Sequence, residues 1–186
     1  MNESTLEQLN PEVRILDESH TEDSWQIIEA CAAKLSEQGF NHWTDYYTRD
    51  TKVVEKMIEK GLLYGYFDDD KLVGIIKISD KAPGYYFKDK IIEEGDERFQ
   101  NALFVGALGV DPNVQGKGIS KKLLKFAEDI AMDSGKNCIV LDTRLEVKWL
   151  VDYYMQKQGY NNVIKIDTSY LQEFGESYIY LYKLLS

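Results

Sequence analysis

Thiols, prolines and histidines are scarce in this chain. Of its 186 residues, two are cysteine, three are proline and two are histidine. Cys31 and Cys138 lie far apart in apolar stretches and form no C-x-x-C pair, so they read as buried free thiols. His20 and His42 are the only histidines, and four such scattered ligands make a poor zinc site; no metal is expected. So little proline, with 13 glycines, argues against low-complexity linkers. No stretch approaches the ~18 apolar residues of a membrane span. The polar, acidic start from Met1 to Pro11 lacks the basic end and apolar run of a secretory signal. It reads as a flexible segment, and the chain reads as cytoplasmic with no membrane partner.

Positive charge is short as well. Lys plus Arg is 22 against 32 Asp plus Glu, a net charge of −10. Such a surface repels nucleic acid and anionic lipid alike. What is present suits a folded domain: 44% of residues are apolar and 29% charged. The length fits a single domain over residues 1–186, able to bury roughly 70% of its unfolded surface without metal or disulfide.

Periodicity orders the elements. Val13 to Asp17 alternates like a short strand. Thr21 to Gln38 repeats Trp25, Ile28, Ala32 and Leu35 at helical spacing and closes at Gly39. A second helix carries Val53, Val54, Met57 and Ile58 and ends at Gly61. Leu62 to Phe67 and Leu72 to Ile78 form a hairpin around Asp68-Asp69-Asp70. Ser79 to Gln100 reads as a long connection with a little strand in it. Ala102 to Val110 is a buried strand, Ile119 to Ser134 an amphipathic helix, Cys138 to Asp142 a buried strand and Val147 to Gln158 a helix. Tyr160 to Ile166 and Tyr178 to Leu184 close the chain as strands. The sum is an α/β domain around a mixed central sheet flanked by helices.

The sharpest local feature joins the strand ending at Val110 to the helix opening at Ile119. Between them stand Asp111-Pro112-Asn113-Val114 and then Gln115-Gly116-Lys117-Gly118. The first N–H groups of a helix have no internal partner and lie at the positive end of its dipole. Glycines at 116 and 118 let an anion approach the backbone, so the segment suits a phosphate; Lys117, Lys121 and Lys122 add positive charge. The plain alternative is a glycine turn that merely starts a helix. A P-loop fails, because Ile119-Ser120 follows Gly118 where Lys-Ser or Lys-Thr is required. A dinucleotide fingerprint lacks its third glycine, which Lys121 replaces, although Asp142 imitates the ribose-binding acid; a nucleotide-dependent oxidoreductase is the weak alternative this leaves.

Leu108-x-Val110-x-Pro112 followed by Gln115-x-x-Gly118-x-Ser120 resembles the acyl-CoA-binding signature Q/R-x-x-G-x-G/A of the GCN5-related N-acetyltransferase (GNAT) family, with Ser120 in place of the usual Gly or Ala. The order of elements from Val13 to Leu184 resembles that family too. The resemblance implies a sheet splayed beside the cofactor. It implies acetyl-CoA as acyl donor, with its diphosphate on the amides of Gln115, Gly116, Lys117, Gly118, Ile119 and Ser120. Its pantetheine arm lies along Leu108, Gly109 and Val110. It implies direct attack by an amine of a small molecule or peptide, with a late-helix tyrosine protonating the departing thiolate. Counted forward from Asp142 that tyrosine is Tyr154; counted back from Gly159 its place falls on Met155, so one extra residue stands between. Tyr154 is favoured over its neighbour Tyr153, with a packed core tyrosine as the alternative.

The resemblance further implies that the acceptor site draws on His42, Trp43 and Tyr46 from one loop and Tyr85 from another, aromatics suited to a cationic amine. No base is assigned: Glu93, Glu94, Asp96, Glu97 and His42 are candidates by chemistry, though each reads more readily as a solvated surface group. A non-catalytic acyl-CoA sensor or interaction protein on the same fold is the second reading. Exposed strand edges allow a homodimer without requiring one.

Overall fold

Most of the periodic segments become the elements they suggest. The computed structural model describes residues 10–41, 43, 50–170 and 175–185. Among them lie strands β1 (Val13–Ile15), β2 (Leu63–Asp68), β3 (Lys71–Ser79), β4 (Ala102–Val110), β5 (Cys138–Arg144), β6 (Asn162–Asp167) and β7 (Tyr178–Leu184). The helices are α1 (Thr21–Ser36), α2 (Lys52–Glu59), α3 (Gly84–Lys88), α4 (Ile119–Asp133) and α5 (Lys148–Asp152), the last running on as a π turn over Tyr153–Lys157. The strand order is β1-β2-β3-β4-β5-β7-β6, an open mixed sheet with helices about it. No described helix is long and apolar enough to cross a membrane.

The chain divides into two compact units, Met1–Ile78 with Gly106–Ile130 and Ser79–Val105 with Ala131–Ser186. In the first, β1 pairs with β2 and β2 with β3, both antiparallel. Asp68 faces Lys71, so Asp69 and Asp70 alone make the turn, with φ of 49° and 63°. Aspartate tolerates this left-handed region better than most residues, which is why an acidic pair can close a tight hairpin. Helices α1 and α2 bury Ile27, Ile28, Val54 and Met57 against Leu63, Phe67 and Ile75.

Helix α4 comes close to β3 because Gly74 has no side chain. A Cβ there would sit 2.9 Å from Ile119 Cγ2 and 3.2 Å from Leu123 Cδ1. Ile119, Leu123, Leu124 and Ala127 are all buried, so the stripe read from the sequence is the packed face.

In the second unit β4 and β5 run parallel, and their ladder comprises Ala102–Cys138, Leu103–Ile139 and Phe104–Val140. β5 continues alone past Val140 as far as its β4 partner is concerned, while pairing with β7 along its whole length to Arg144.

The segment 79–100 differs from expectation. After Ser79, which ends β3, it holds helix α3 and a 3₁₀ turn at Glu97–Phe99 and no further strand. The reason is burial: Tyr86, Ile91, Ile92 and Phe99 form a core cluster with Phe104, Val140 and Tyr180. Irregular chain can hold its place when it buries this many large side chains.

Replacing Gly74 by alanine is expected to cost about 1–3 kcal/mol through overpacking against Ile119 and Leu123. A chemical denaturation midpoint for Gly74→Ala equal to that of the wild type would contradict this account of the α4 packing.

Candidate active site

The backbone fixes the entry to α4 step by step. The Asp111 N–H donates to Val73 O (2.9 Å), and Asp111 Oδ1 accepts from both N–H groups of Asn113 within 2.9 Å. Pro112–Val114 then make one 3₁₀ turn, closed by Val114 N–H to Asp111 O at 3.0 Å. Gly116 and Gly118 follow at φ of 87° and 76°, where other residues are strained, and a Cβ on either would meet nothing within 4 Å. The residues from Gln115 to Gly118 are exposed, and their amides donate to no described residue. Ile119 is buried and plants the first turn of α4. The result is an open concavity of backbone N–H groups at a helix N-terminus, a place for an anion.

The lysines contribute less field than their number suggests. Lys117 is paired with Asp68 at 3.0 Å and Lys122 with Glu12 at 2.8 Å. The Glu12 carboxylate and the Tyr66 hydroxyl together push the Lys122 ammonium up to about 12. These exposed pairs leave attraction of an anion mainly to the main chain and to Lys121.

Strand β4 carries a kink just before the residues expected to line the cofactor. Ala107 has φ of 46°, a left-handed conformation that in mid-strand reverses the side-chain alternation. Leu108 and Val110 are half-buried and Gly109 is buried. A Cβ at Gly109 would lie 3.4–3.5 Å from Ile27 Cγ2, Cys31 Sγ and Trp43 Cζ3. The Cys31 thiol donates to Val110 O at 3.3 Å, and burial pushes it up to about 11.

The second unit gathers hydroxyls and one carboxylate. Asp142 follows Val140 by two positions on the same face of β5 and is less buried than any other residue of that strand. Its Oδ1 accepts from the hydroxyls of Tyr85 (2.8 Å) and Tyr86 (2.7 Å), both on α3. Tyr86 is edge-on to Phe104 and Tyr180, with ring centroids 5.8 Å and 5.2 Å away, so its position is fixed by packing. Tyr154, in the π turn, is 7% exposed and packs edge-on against Tyr153 and Tyr160. No hydrogen bond ties its hydroxyl to a described residue. Burial raises its pKa, helped by the neighbouring Tyr153 and the negative charge of Asp142, so the phenol stays protonated.

A π turn interrupts this helix. It takes one more residue per turn than an α-helix, and Gln158 N–H bonds Tyr153 O in the corresponding five-residue step. Tyr154 is thereby a buried, inward-facing side chain and Tyr153 a half-buried one.

Of the expected acceptor residues, His42 and Tyr46 lie outside the described residues. Trp43, at φ of 70°, packs on the core of the first unit, and Tyr85 stands 44% exposed in the second. Among the candidate bases, Asp96 caps its own turn and binds Arg98 at 2.7 Å, while Glu93, Glu94 and Glu97 are exposed. Sequence reading missed Tyr86 as a polar ligand and noted Asp142 only for its likeness to a ribose-binding acid, a weak alternative. The available signal was Pro83 ahead of a run rich in aromatics, a helix start.

Comparison with known proteins places the chain. The family model described as acetyltransferase (GNAT) family matches residues 26–160, and the chain belongs to that family. No curated protein matches it. Among solved structures, a GNAT family acetyltransferase from Streptococcus agalactiae is similar at TM-score 0.71 and 15% identity, over 94% of this chain and 95% of that one. YncA from Salmonella typhimurium, solved with acetyl-CoA, is similar at TM-score 0.66 and 18% identity over 94% and 93%. The PaiA N-acetyltransferase of Thermoplasma acidophilum, solved with coenzyme A, gives TM-score 0.61 and 18% identity over 91% and 96%. The mixed strand order and the tyrosine ligands of Asp142 remove the support for a dinucleotide fold.

Burial pushes the Cys138 thiol up to about 11 as well as that of Cys31. At pH 8 such thiols are ionised to roughly one part in a thousand. A disulfide reagent at pH 8 is therefore expected to titrate no thiol promptly in the native protein and two after unfolding. Rapid modification of either cysteine in the folded state would show the burial to be wrong.

Proposed function

We propose that the chain, read as one acyltransferase domain, is an N-acetyltransferase that uses acetyl-CoA to acetylate a primary amine of a small molecule or peptide. The observation that carries this is the loop Gln115–Gly118, whose exposed amides have no partner among the described residues and whose glycines leave room for a ligand. An adenosine diphosphate moiety fits a cradle of that kind, within a chain of this family. The solved relatives with acetyl-CoA or coenzyme A support the same donor.

Acetyl-CoA supplies an activated acyl carbon. The chain supplies the rest. Gln115 to Ser120 hold the diphosphate, and the main chain of Leu108, Gly109 and Val110 lines the pantetheine arm. A backbone N–H placed at the thioester oxygen is worth ~10²–10³ in rate. Tyr154, protonated by virtue of its burial, donates to the leaving sulfur. No described residue takes its hydroxyl in a hydrogen bond, which supports that proton's availability. A thiolate of ordinary basicity needs such a donor most when the amine is a poor nucleophile.

Titration calorimetry is expected to show acetyl-CoA binding to the wild type. Gly118→Ala should weaken it at least tenfold, since an added Cβ enters the cradle and the backbone conformation is strained. Tyr154→Phe should bind acetyl-CoA as the wild type does and lose ~10²–10⁴ in kcat, followed as thiol release. Undiminished kcat in Tyr154→Phe would reduce that tyrosine to a core residue. Acetyl-CoA binding without turnover of any amine would favour an acyl-CoA sensor.

A further inference from the structure

We infer that Gly106, in the middle of β4, is a residue that determines donor specificity: the space beside its backbone receives the acyl group of the bound thioester. The inference rests on the N-acetyltransferase reading and deepens it by naming where the size of the acyl group is sensed.

Four glycines lie within the described strands, and contacts account for three of them. A Cβ at Gly65 would sit 2.4 Å from Leu72 Cδ1, and one at Gly74 would sit 2.9 Å from Ile119 Cγ2. At Gly109 it would touch Ile27, Cys31 and Trp43 at 3.4–3.5 Å. Another part of the first unit comes close at each of these positions. Gly106 differs. A Cβ there would meet nothing within 4 Å among the described residues. Its backbone does not call for glycine either, because the left-handed φ of 46° belongs to Ala107 beside it and not to Gly106. Neither packing nor conformation excludes a side chain, and the interior of a strand favours one. Glycine in that position gives up backbone entropy and apolar contact. A strand glycine of this kind marks a place where a ligand approaches the main chain.

Three features identify the ligand as the donor's acyl group. The first is order along the strand. A pantetheine arm that leaves the loop Gln115–Gly118 and runs back along β4 passes Val110, Gly109 and Leu108. A strand advances ~3.3 Å per residue, so Gly106 lies at most about 7 Å beyond Leu108, where the thioester end arrives. The second is enclosure. Gly106 is half-buried, between Val105 and Ala107, which are 5% and 6% exposed. Ala107 packs in the core of the first unit, so the strand is held fast at this point. The third is chemistry. No residue from Ala102 to Val110 has a polar side chain, so the strand offers a neutral wall. Such a wall suits a hydrocarbon chain and gives an ammonium nothing to pair with. A carbon added to the acyl group enters the space over Gly106, which a side chain at that position would already fill.

The test uses the full chain as wild type, Gly106→Ala and Gly106→Val. Titration calorimetry follows adenosine diphosphate, CoA, acetyl-CoA and propionyl-CoA, four ligands that share a diphosphate and differ in what extends from it. The denaturation midpoint of Gly106→Ala should equal or exceed that of the wild type, since the added methyl group meets nothing and the unfolded chain loses freedom. Gly106→Val should bind adenosine diphosphate within about twofold of wild type. It should bind acetyl-CoA several-fold more weakly and propionyl-CoA at least about tenfold more weakly, with CoA affected less than either. Gly106→Ala should show the same order with smaller factors. A lowered midpoint in Gly106→Ala would make the glycine a packing residue and overturn the inference. Wild-type affinity for both acyl donors in Gly106→Val, or equal weakening of all four ligands, would overturn it too. Each of these results leaves the N-acetyltransferase reading standing so long as the wild type binds acetyl-CoA. A wild type that binds neither CoA nor its thioesters overturns both.

Discussion

A helix cannot satisfy the first N–H groups of its own backbone, and the loop that leads into α4 keeps the amides of Gln115 to Gly118 exposed, with no acceptor among the described residues. Everything near the loop serves that exposure. Asp111 caps the preceding 3₁₀ turn and ties it to β3, so the cap does not reach the helix amides. Gly116 and Gly118 take up backbone angles that keep side chains out of the concavity. Gly74 lets Ile119 settle on β3, which sets where the first turn begins. An acidic protein with a net charge of −10 needs such a local device if it is to hold a polyanion, because its average field works against one. Paired as they are with Asp68 and Glu12, Lys117 and Lys122 show that the device is the main chain more than the side chains.

The second unit solves a different problem, that of keeping polar groups ready inside an apolar face. Tyr86 and Tyr154 are buried, yet one gives its hydroxyl to Asp142 and the other gives its own to no described residue. Arg144, 5% exposed, is balanced by Glu146 at 3.2 Å and Glu176 at 2.7 Å, so the end of β5 carries its charge with partners. Asp142 lies between these two regimes. It is half-buried and accepts from the Tyr85 and Tyr86 hydroxyls.

Much of this was legible in the sequence wherever the signal is local. β4 and β7 begin and end where their apolar runs do, and the buried stripe of α4 follows from Ile119, Leu123 and Leu124 at helical spacing. The glycine loop was legible because its chemistry needs only neighbours in the chain. Helix α3 was not legible: five residues starting at a glycine and rich in aromatics carry no helical period, and burial against β4, β5 and β7 makes them helical. Nor were the contacts of Asp142 with Tyr85 and Tyr86. Its partners lie 56 and 57 residues away, and no local pattern records a contact of that separation. The kink at Ala107 is hidden for a similar reason, since nothing about alanine in an apolar run signals a left-handed residue.

The central claim is that the main-chain amides between Gln115 and Ser120 converge on a diphosphate. The most direct measurement is the amide ¹H–¹⁵N spectrum of the labelled protein during addition of CoA. The account requires the largest shifts at Gly116, Lys117 and Gly118, saturating together with CoA occupancy and reproduced by adenosine diphosphate at higher concentration. Saturable binding of CoA that leaves those three amides unmoved would contradict it.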